Sequence, residues 1–161
     1  SPTPDFTFGF GASFSYKGFR LSFDFQGELG RQIYDGKDAI RAGIYNYQQR
    51  IANAWDGEGS TNSQPRVTAG GINYSQSDWF VFNGSFFRLN NVVFSYSLPK
   101  EFLKKYGIEQ ASLSLRGSKV FTLTEYPGYT PEIGGSVSDN GIDKGEYPVT
   151  SVYGIGLNVN F

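Results

Sequence analysis

The side chains in this sequence that could do acid–base chemistry are carboxylates. Asp24 with Glu28, and Glu125 with Glu132, are the candidate pairs for a general acid and base. A polar sheet face or a solvated loop needs such residues anyway, and no catalytic constellation surrounds them, so no enzyme is expected. The run Asp139-Asn140-Gly141-Ile142-Asp143-Lys144-Gly145-Glu146 offers oxygen donors without the spacing of an EF-hand loop, which points to a solvated turn and not to calcium. Cysteine, histidine and methionine are absent, which removes thiol nucleophiles, imidazole bases, disulfides and the usual zinc ligands together. No metal and no cofactor is expected. Four aromatic residues, Trp55, Trp79, Tyr126 and Tyr129, could stack on sugar rings or meet a partner protein, because rigid rings supply contact area at low entropic cost.

The elements that must position these residues are strands. The 161 residues include 15 Phe, 11 Tyr and 21 Gly, a mixture of large β-formers with turn and close-approach residues. A net charge of -1 gives no sign of a nucleic-acid partner or of electrostatic docking on anionic lipid. No apolar run approaches the roughly 20 residues a membrane-spanning helix requires. The opening Ser1-Pro2-Thr3-Pro4 lacks the character of a signal peptide, so either a targeting segment has been removed or the chain starts inside a longer protein.

Alternation with period two recurs in five stretches. Phe6, Phe8, Phe10, Ala12, Phe14 and Tyr16 fall on one face of the first, against Thr7, Gly9, Gly11, Ser13 and Ser15. A Lys17-Gly18 turn leads into Phe19, Leu21, Phe23 and Phe25, set against Arg20, Ser22, Asp24 and Gln26, so these two stretches form a hairpin. In the third, Val92, Phe94, Tyr96 and Leu98 share a parity that Phe87 and Leu89 break, which places a bulge near Asn90-Asn91. The fourth sets Ala111, Leu113 and Leu115 against Ser112, Ser114 and Arg116. The last sets Tyr153, Ile155, Leu157, Val159 and Phe161 against Gly154, Gly156, Asn158 and Asn160. Strands are expected at about 5–16, 19–30, 85–98, 110–123 and 148–161. A helical period through Ile40, Ile44, Tyr47, Ile51 and Trp55 suggests some helix in the longest connection, and Glu101 to Tyr106 suggests a short one opened by Pro99.

Two architectures alternate in this way: a soluble β-sandwich, which would suit a carbohydrate-binding module or a β-rich enzyme, and a transmembrane β-barrel. Three features favour the barrel. The strands reach the roughly 9 to 11 residues needed to cross a bilayer with tilt. Their polar faces carry charges suited to a wet lumen, and the chain ends on an apolar aromatic residue, as bacterial outer-membrane proteins commonly do. If the strands run antiparallel, both short connections fall at one end and the long ones, 31–84 and 124–147, at the other, an asymmetry of periplasmic turns and extracellular loops. Phe8, Phe10, Phe23, Phe94, Leu113, Leu115, Ile155 and Leu157 would then face lipid. Gly9, Gly11, Gly154 and Gly156 would line the lumen, with the C-terminus on the periplasmic side.

Several phrases resemble one family. The segment from Ser77 to Val92, containing Trp79, Asn83-Gly84-Ser85, Arg88-Leu89 and Asn91, is similar to the "dG-s-y-l-R-L-k-N" phrase of SusC/RagA-type TonB-dependent transporters, and Ser95-Tyr96-Ser97-Leu98-Pro99 to its "gY-x-l-P" ending. Trp55, Glu58 and Pro65-Arg66 resemble its "W-t-x-e...P-R" loop. Gly128-Tyr129-Thr130-Pro131-Glu132, Gly141-Ile142-Asp143 and Tyr147-Pro148 resemble its "GyDPE...GiD...yP" loop. Departures are Thr130 for the usual Asp, and Ser118-Lys119-Val120-Phe121 in place of "g-q-N-l-f". The resemblance implies the last five or so strands of a 22-stranded barrel with a plug, an importer of oligosaccharides or peptides in Bacteroidetes. It further implies energy supplied through TonB, a SusD-like surface lipoprotein as partner, and an assembly signal in the strand ending at Phe161. Five strands leave two unpaired edges, so the remainder of the barrel must close against them.

Overall fold

The computed structural model describes residues 1–37, 49–68, 71–135 and 139–161. Its main body is a five-stranded antiparallel sheet. The strands are β1 (Phe6–Tyr16), β2 (Phe19–Leu29), β5 (Phe86–Ser97), β6 (Gln110–Thr124) and β8 (Val152–Asn160), paired in the order β1-β2-β5-β6-β8. They hold 11, 11, 12, 15 and 9 residues, which is membrane-spanning length and about twice the common strand. The edge strands β1 and β8 each have one paired side in this sheet.

Local chemistry explains the register. Lys17 and Gly18 both have positive φ, 45° and 87°, as the tightest hairpin turns require, and this pairs Tyr16 with Phe19 and carries the alternation of β1 into β2 without a slip. Every residue facing Phe6, Phe8, Phe10, Ala12, Phe14 and Tyr16 across the pair is thereby on the same side: Leu29, Gly27, Phe25, Phe23, Leu21 and Phe19. At Gly27 the glycine is required by close approach, since a Cβ there would lie 2.5 Å from the Phe8 ring and 2.7 Å from the Phe86 carbonyl oxygen. Phe10, Phe25 and Phe87 stack across three strands with centroids 5.0 Å apart at each step.

The bulge falls where the parity breaks. Asp24 pairs with Asn91 and Phe25 with Leu89, so Asn90 is the extra residue of β5. On its other side Asn91 pairs with Ser118 and Leu89 with Phe121, leaving Asn90 opposite both Lys119 and Val120. Lys119 has φ 52°, a left-handed conformation that lysine adopts at a cost.

A second, small sheet joins the long connections at one end: β3 (Gln32–Asp35) lies between β4 (Val81–Asn83), antiparallel to it, and β7 (Ile142–Asp143), parallel to it. Alternation could not reveal strands of two to four residues. The short helix Lys100–Lys104 follows Pro99. The helical period read from Asp38 onward falls largely on residues 38–48, outside the described residues; Gln49–Asn53 is a 3-10 turn. The last strand starts at Val152 instead of near 148; Pro148 itself lacks the N–H a ladder needs.

Candidate functional site

One face of the main sheet is apolar. Register places Phe8, Phe10, Phe23, Phe94, Leu113, Leu115, Ile155 and Leu157 on it together. Among the described elements no sheet packs across this face: Phe10, Ile155 and Leu157 stay 53%, 78% and 71% exposed. A soluble sandwich would bury these residues against a second sheet, and the described elements place none there.

The opposite face is polar, and the connection after β6 folds onto its upper end. Arg88 on β5 is the centre of the first contact. Its residue is 1% exposed; its Nε donates to Thr122 Oγ1 on β6 at 2.7 Å, and its Nη1 donates to Glu132 Oε2. The Phe86 ring lies 5.1 Å from the guanidinium carbon. Glu132 Oε1 accepts from Gln26 Nε2 on β2 at 3.1 Å, and Gln26 Oε1 accepts from Asn90 Nδ2 at 2.6 Å. The bulge thus turns Asn90 inward, to Gln26. A buried guanidinium is tolerable only with such pairing.

Two further cations fasten the same connection. Arg31 Nη1 donates to Glu28 Oε2 at 3.1 Å and Nη2 to the Ile133 carbonyl. Lys37 Nζ bonds Asp143 Oδ2 and lies 3.5 Å from Asp35 Oδ1 and 3.3 Å from the Tyr126 hydroxyl, which itself donates to Asp143 at 2.5 Å. Asp143 Oδ1 accepts the Gly145 and Glu146 amides. Burial pushes the Asp143 carboxyl up, but the bonds from Lys37, Tyr126 and these two amides together outweigh it and hold it below its ordinary value of 3.8. Ile33, Tyr126 and Ile133 form a buried apolar cluster beside these pairs, with Phe82 packed against it.

This arrangement positions a loop, and its carboxylates are tied to partners. Glu28 is paired to Arg31, Glu132 to Arg88, and Glu125 Oε2 accepts from Asn83 Nδ2 at 2.9 Å. In the 139–146 run Asp143 is engaged as above, both with Lys37 and Tyr126 and with the turn's own amides, and Asp139 bonds Lys144 at 3.0 Å.

The four aromatic candidates separate. Tyr126 is 4% exposed with its hydroxyl committed to Asp143, so the expectation that it contacts substrate or partner is corrected: its ring is core. Tyr129 is 74% exposed between the buried Tyr126 and Thr130. Trp55 and Trp79, both partly exposed, line one groove of about 460 Å³ in the 49–80 connection, together with Gln64, Arg66 and Asn73. Sequence reasoning missed Arg31, Asp35 and Lys37 altogether. It quoted Arg88, Glu132 and Asp143 within phrases but did not pair them.

An open antiparallel sheet of bilayer-spanning strands, apolar and bare on one face and polar on the other, is a segment of a β-barrel wall. Curated relatives agree. The chain is 33% identical over 99% of its length to TonB-dependent receptor P3 of Formosa agariphila, and 34% identical over 98% to TonB-dependent receptor P39 of that organism. It is 26% identical over 99% to the TonB-dependent receptor SusC of Bacteroides thetaiotaomicron. The chain spans 17%, 16% and 15% of these three relatives. Among solved structures it superposes on a chain of the RagAB peptide transporter with a TM-score of 0.80 at 26% identity, covering all of this chain and 18% of that one. For the RagAB peptide importer in its open-open state the TM-score is 0.74 at 27% identity, covering 99% and 17%. No family model matches the chain. Over nearly its whole length the chain is similar in sequence and fold to one segment of the SusC/RagA-type TonB-dependent receptors.

Proposed function

We propose that these residues form part of the wall of an outer-membrane, TonB-dependent importer, one that takes up oligosaccharides or peptides beneath a SusD-like surface lipoprotein. The observation that carries this reading is the bare apolar face across five strands of spanning length, backed by a polar face. In this reading the apolar face meets lipid, and the remainder of the barrel pairs with the free edges of β1 and β8. The polar face surrounds a plug, through which TonB acts. The two short connections, at Lys17-Gly18 and between Ser97 and Gln110, share the end of the sheet where Asn160 pairs with Gln110. That end is periplasmic, and Phe161 there serves as the assembly signal. The loops fastened by Arg31, Lys37 and Arg88 are extracellular.

The test is a pair of spin labels in the full-length receptor, with Leu157→Cys and Asn158→Cys made singly in a cysteine-free background and reconstituted in liposomes. At Leu157 the nitroxide should collide preferentially with oxygen dissolved in lipid, and at Asn158 with a water-soluble nickel chelate. Water-like accessibility at both positions would overturn the reading.

A further inference from the structure

We propose that the groove in the 49–80 connection binds an acidic oligosaccharide, with Trp55 and Trp79 as ring platforms and Arg66 as the anion partner; this deepens the importer reading and rests on it. The groove is built and not incidental. The Trp55 amide donates to the Gln64 carbonyl at 3.1 Å, closing the 55–64 loop, and Asn73 Nδ2 donates to the Arg66 carbonyl at 3.0 Å, tying the far wall. Asp56 N to Ser60 Oγ and Ser60 Oγ to the Gly57 carbonyl rigidify the turn between them. Its volume, about 460 Å³, lies in the range of about 300 to 1,000 Å³ usual for small-ligand sites.

The lining selects the ligand. Two indole rings offer flat apolar faces for the C–H face of a pyranose. Asn62, Gln64 and Asn73 are amides, each carrying both donors and acceptors, which suits a row of hydroxyls that must also give and accept. Arg66 is the single charged residue among those lining the groove, and among the described residues no carboxylate pairs with it. Its planar fork fits a uronate carboxylate or a sulfate ester. A peptide that binds by adding a strand finds no open strand edge among the described walls, which are loops and 3-10 turns.

The test uses the full-length receptor in detergent and calorimetric titration with four probes: hexagalacturonate, a sulfated galactan hexamer, maltohexaose and hexaalanine. Binding of at least one acidic oligomer is expected. Trp55→Ala and Trp79→Ala should each weaken it about tenfold or more, while Arg66→Gln weakens acidic probes and leaves any maltohexaose binding unchanged. Failure of both acidic probes to bind overturns the proposal, as does hexaalanine binding that the tryptophan substitutions abolish, or an Arg66→Gln effect equal on charged and neutral sugars. Outer-membrane level and heat-modifiable migration of each variant are read in the same preparations. They report on the barrel itself, so failure of both acidic probes to bind a receptor whose barrel is intact refutes the groove and leaves the importer reading standing.

Discussion

Glu132→Gln tests the anchoring network most directly. The change keeps shape and removes charge, so Arg88 retains Thr122 and the Phe86 ring but loses its carboxylate. Arg88 is almost fully buried, and breaking a buried ion pair from one side typically costs about 3–5 kcal/mol. The Glu132 side chain, however, is 32% exposed, so water can partly replace it. The loss should therefore sit nearer the worth of one charge-assisted hydrogen bond plus a weakened contact to Gln26, about 2–3 kcal/mol in all. This free energy is local: it holds the connection after β6 to the wall, while the β5–β6 ladder is unaffected. Hydrogen exchange on the full-length receptor should then show faster exchange around Ile133, by roughly thirtyfold to over one hundredfold at about 1.4 kcal/mol per factor of ten. Amides of β5 should be unchanged. Arg88→Met with Glu132→Leu should cost less than either single change, because no unpaired charge remains. Exchange near Ile133 that rises less than threefold in Glu132→Gln, or a double variant as costly as the sum of the singles, would refute the assignment of this pair as the anchor.

Three other outcomes follow from the same geometry. Leu157→Arg should lower barrel stability by about 2–4 kcal/mol, as for a cation on a lipid face at mid-depth, and Asn158→Arg by well under half of that, measured by denaturant unfolding in liposomes. Lys119→Asn should stabilise by about 0.5–1 kcal/mol in the same measurement, since Lys119 holds φ 52° and asparagine accepts the left-handed region more readily. Asp143 has its carboxyl lowered in the folded state, so its contribution is complete well above its ordinary value of 3.8 and fades as pH falls through that value toward the folded one. Protease resistance of the connection should accordingly weaken below about pH 4, and Asp143→Asn should reduce it at neutral pH and flatten that dependence.

What the sequence disclosed and what it hid follow from distance along the chain. A strand in a barrel wall carries its own period, so Phe6 to Tyr16 or Tyr153 to Val159 reveal a face without any partner. The bulge was legible for the same reason, because Phe87 and Leu89 break a parity that Val92 and Phe94 establish a few residues later. The buried ion pairs have no such local trace. Arg88 and Glu132 are 44 residues apart, and Lys37 and Asp143 are 106 apart. Each reads in isolation as an ordinary polar residue of a wall or loop. Tyr126 carries no local sign of its burial either, because Ile33 and Ile133 gather around its ring only in the fold.

The pairing gives the quoted phrases a physical meaning. Arg88 belongs to one, Glu132 to a second and Asp143 to a third, and the fold joins the first two to each other and the third to Lys37 and Tyr126. Where this chain departs from the pattern, Lys119 stands at a left-handed position beside the bulge, which explains why asparagine suits that place and predicts the gain on restoring it. In this chain the phrases Arg88-Leu89, Thr130-Pro131-Glu132 and Gly141-Ile142-Asp143 therefore describe how a loop is fastened to a wall. In the proposed importer, discrimination among cargoes would rest on residues outside these fasteners. In this chain Trp55, Arg66 and Trp79 meet that condition: they line a groove, and none of their side chains takes part in holding the loop after β6 to the sheet.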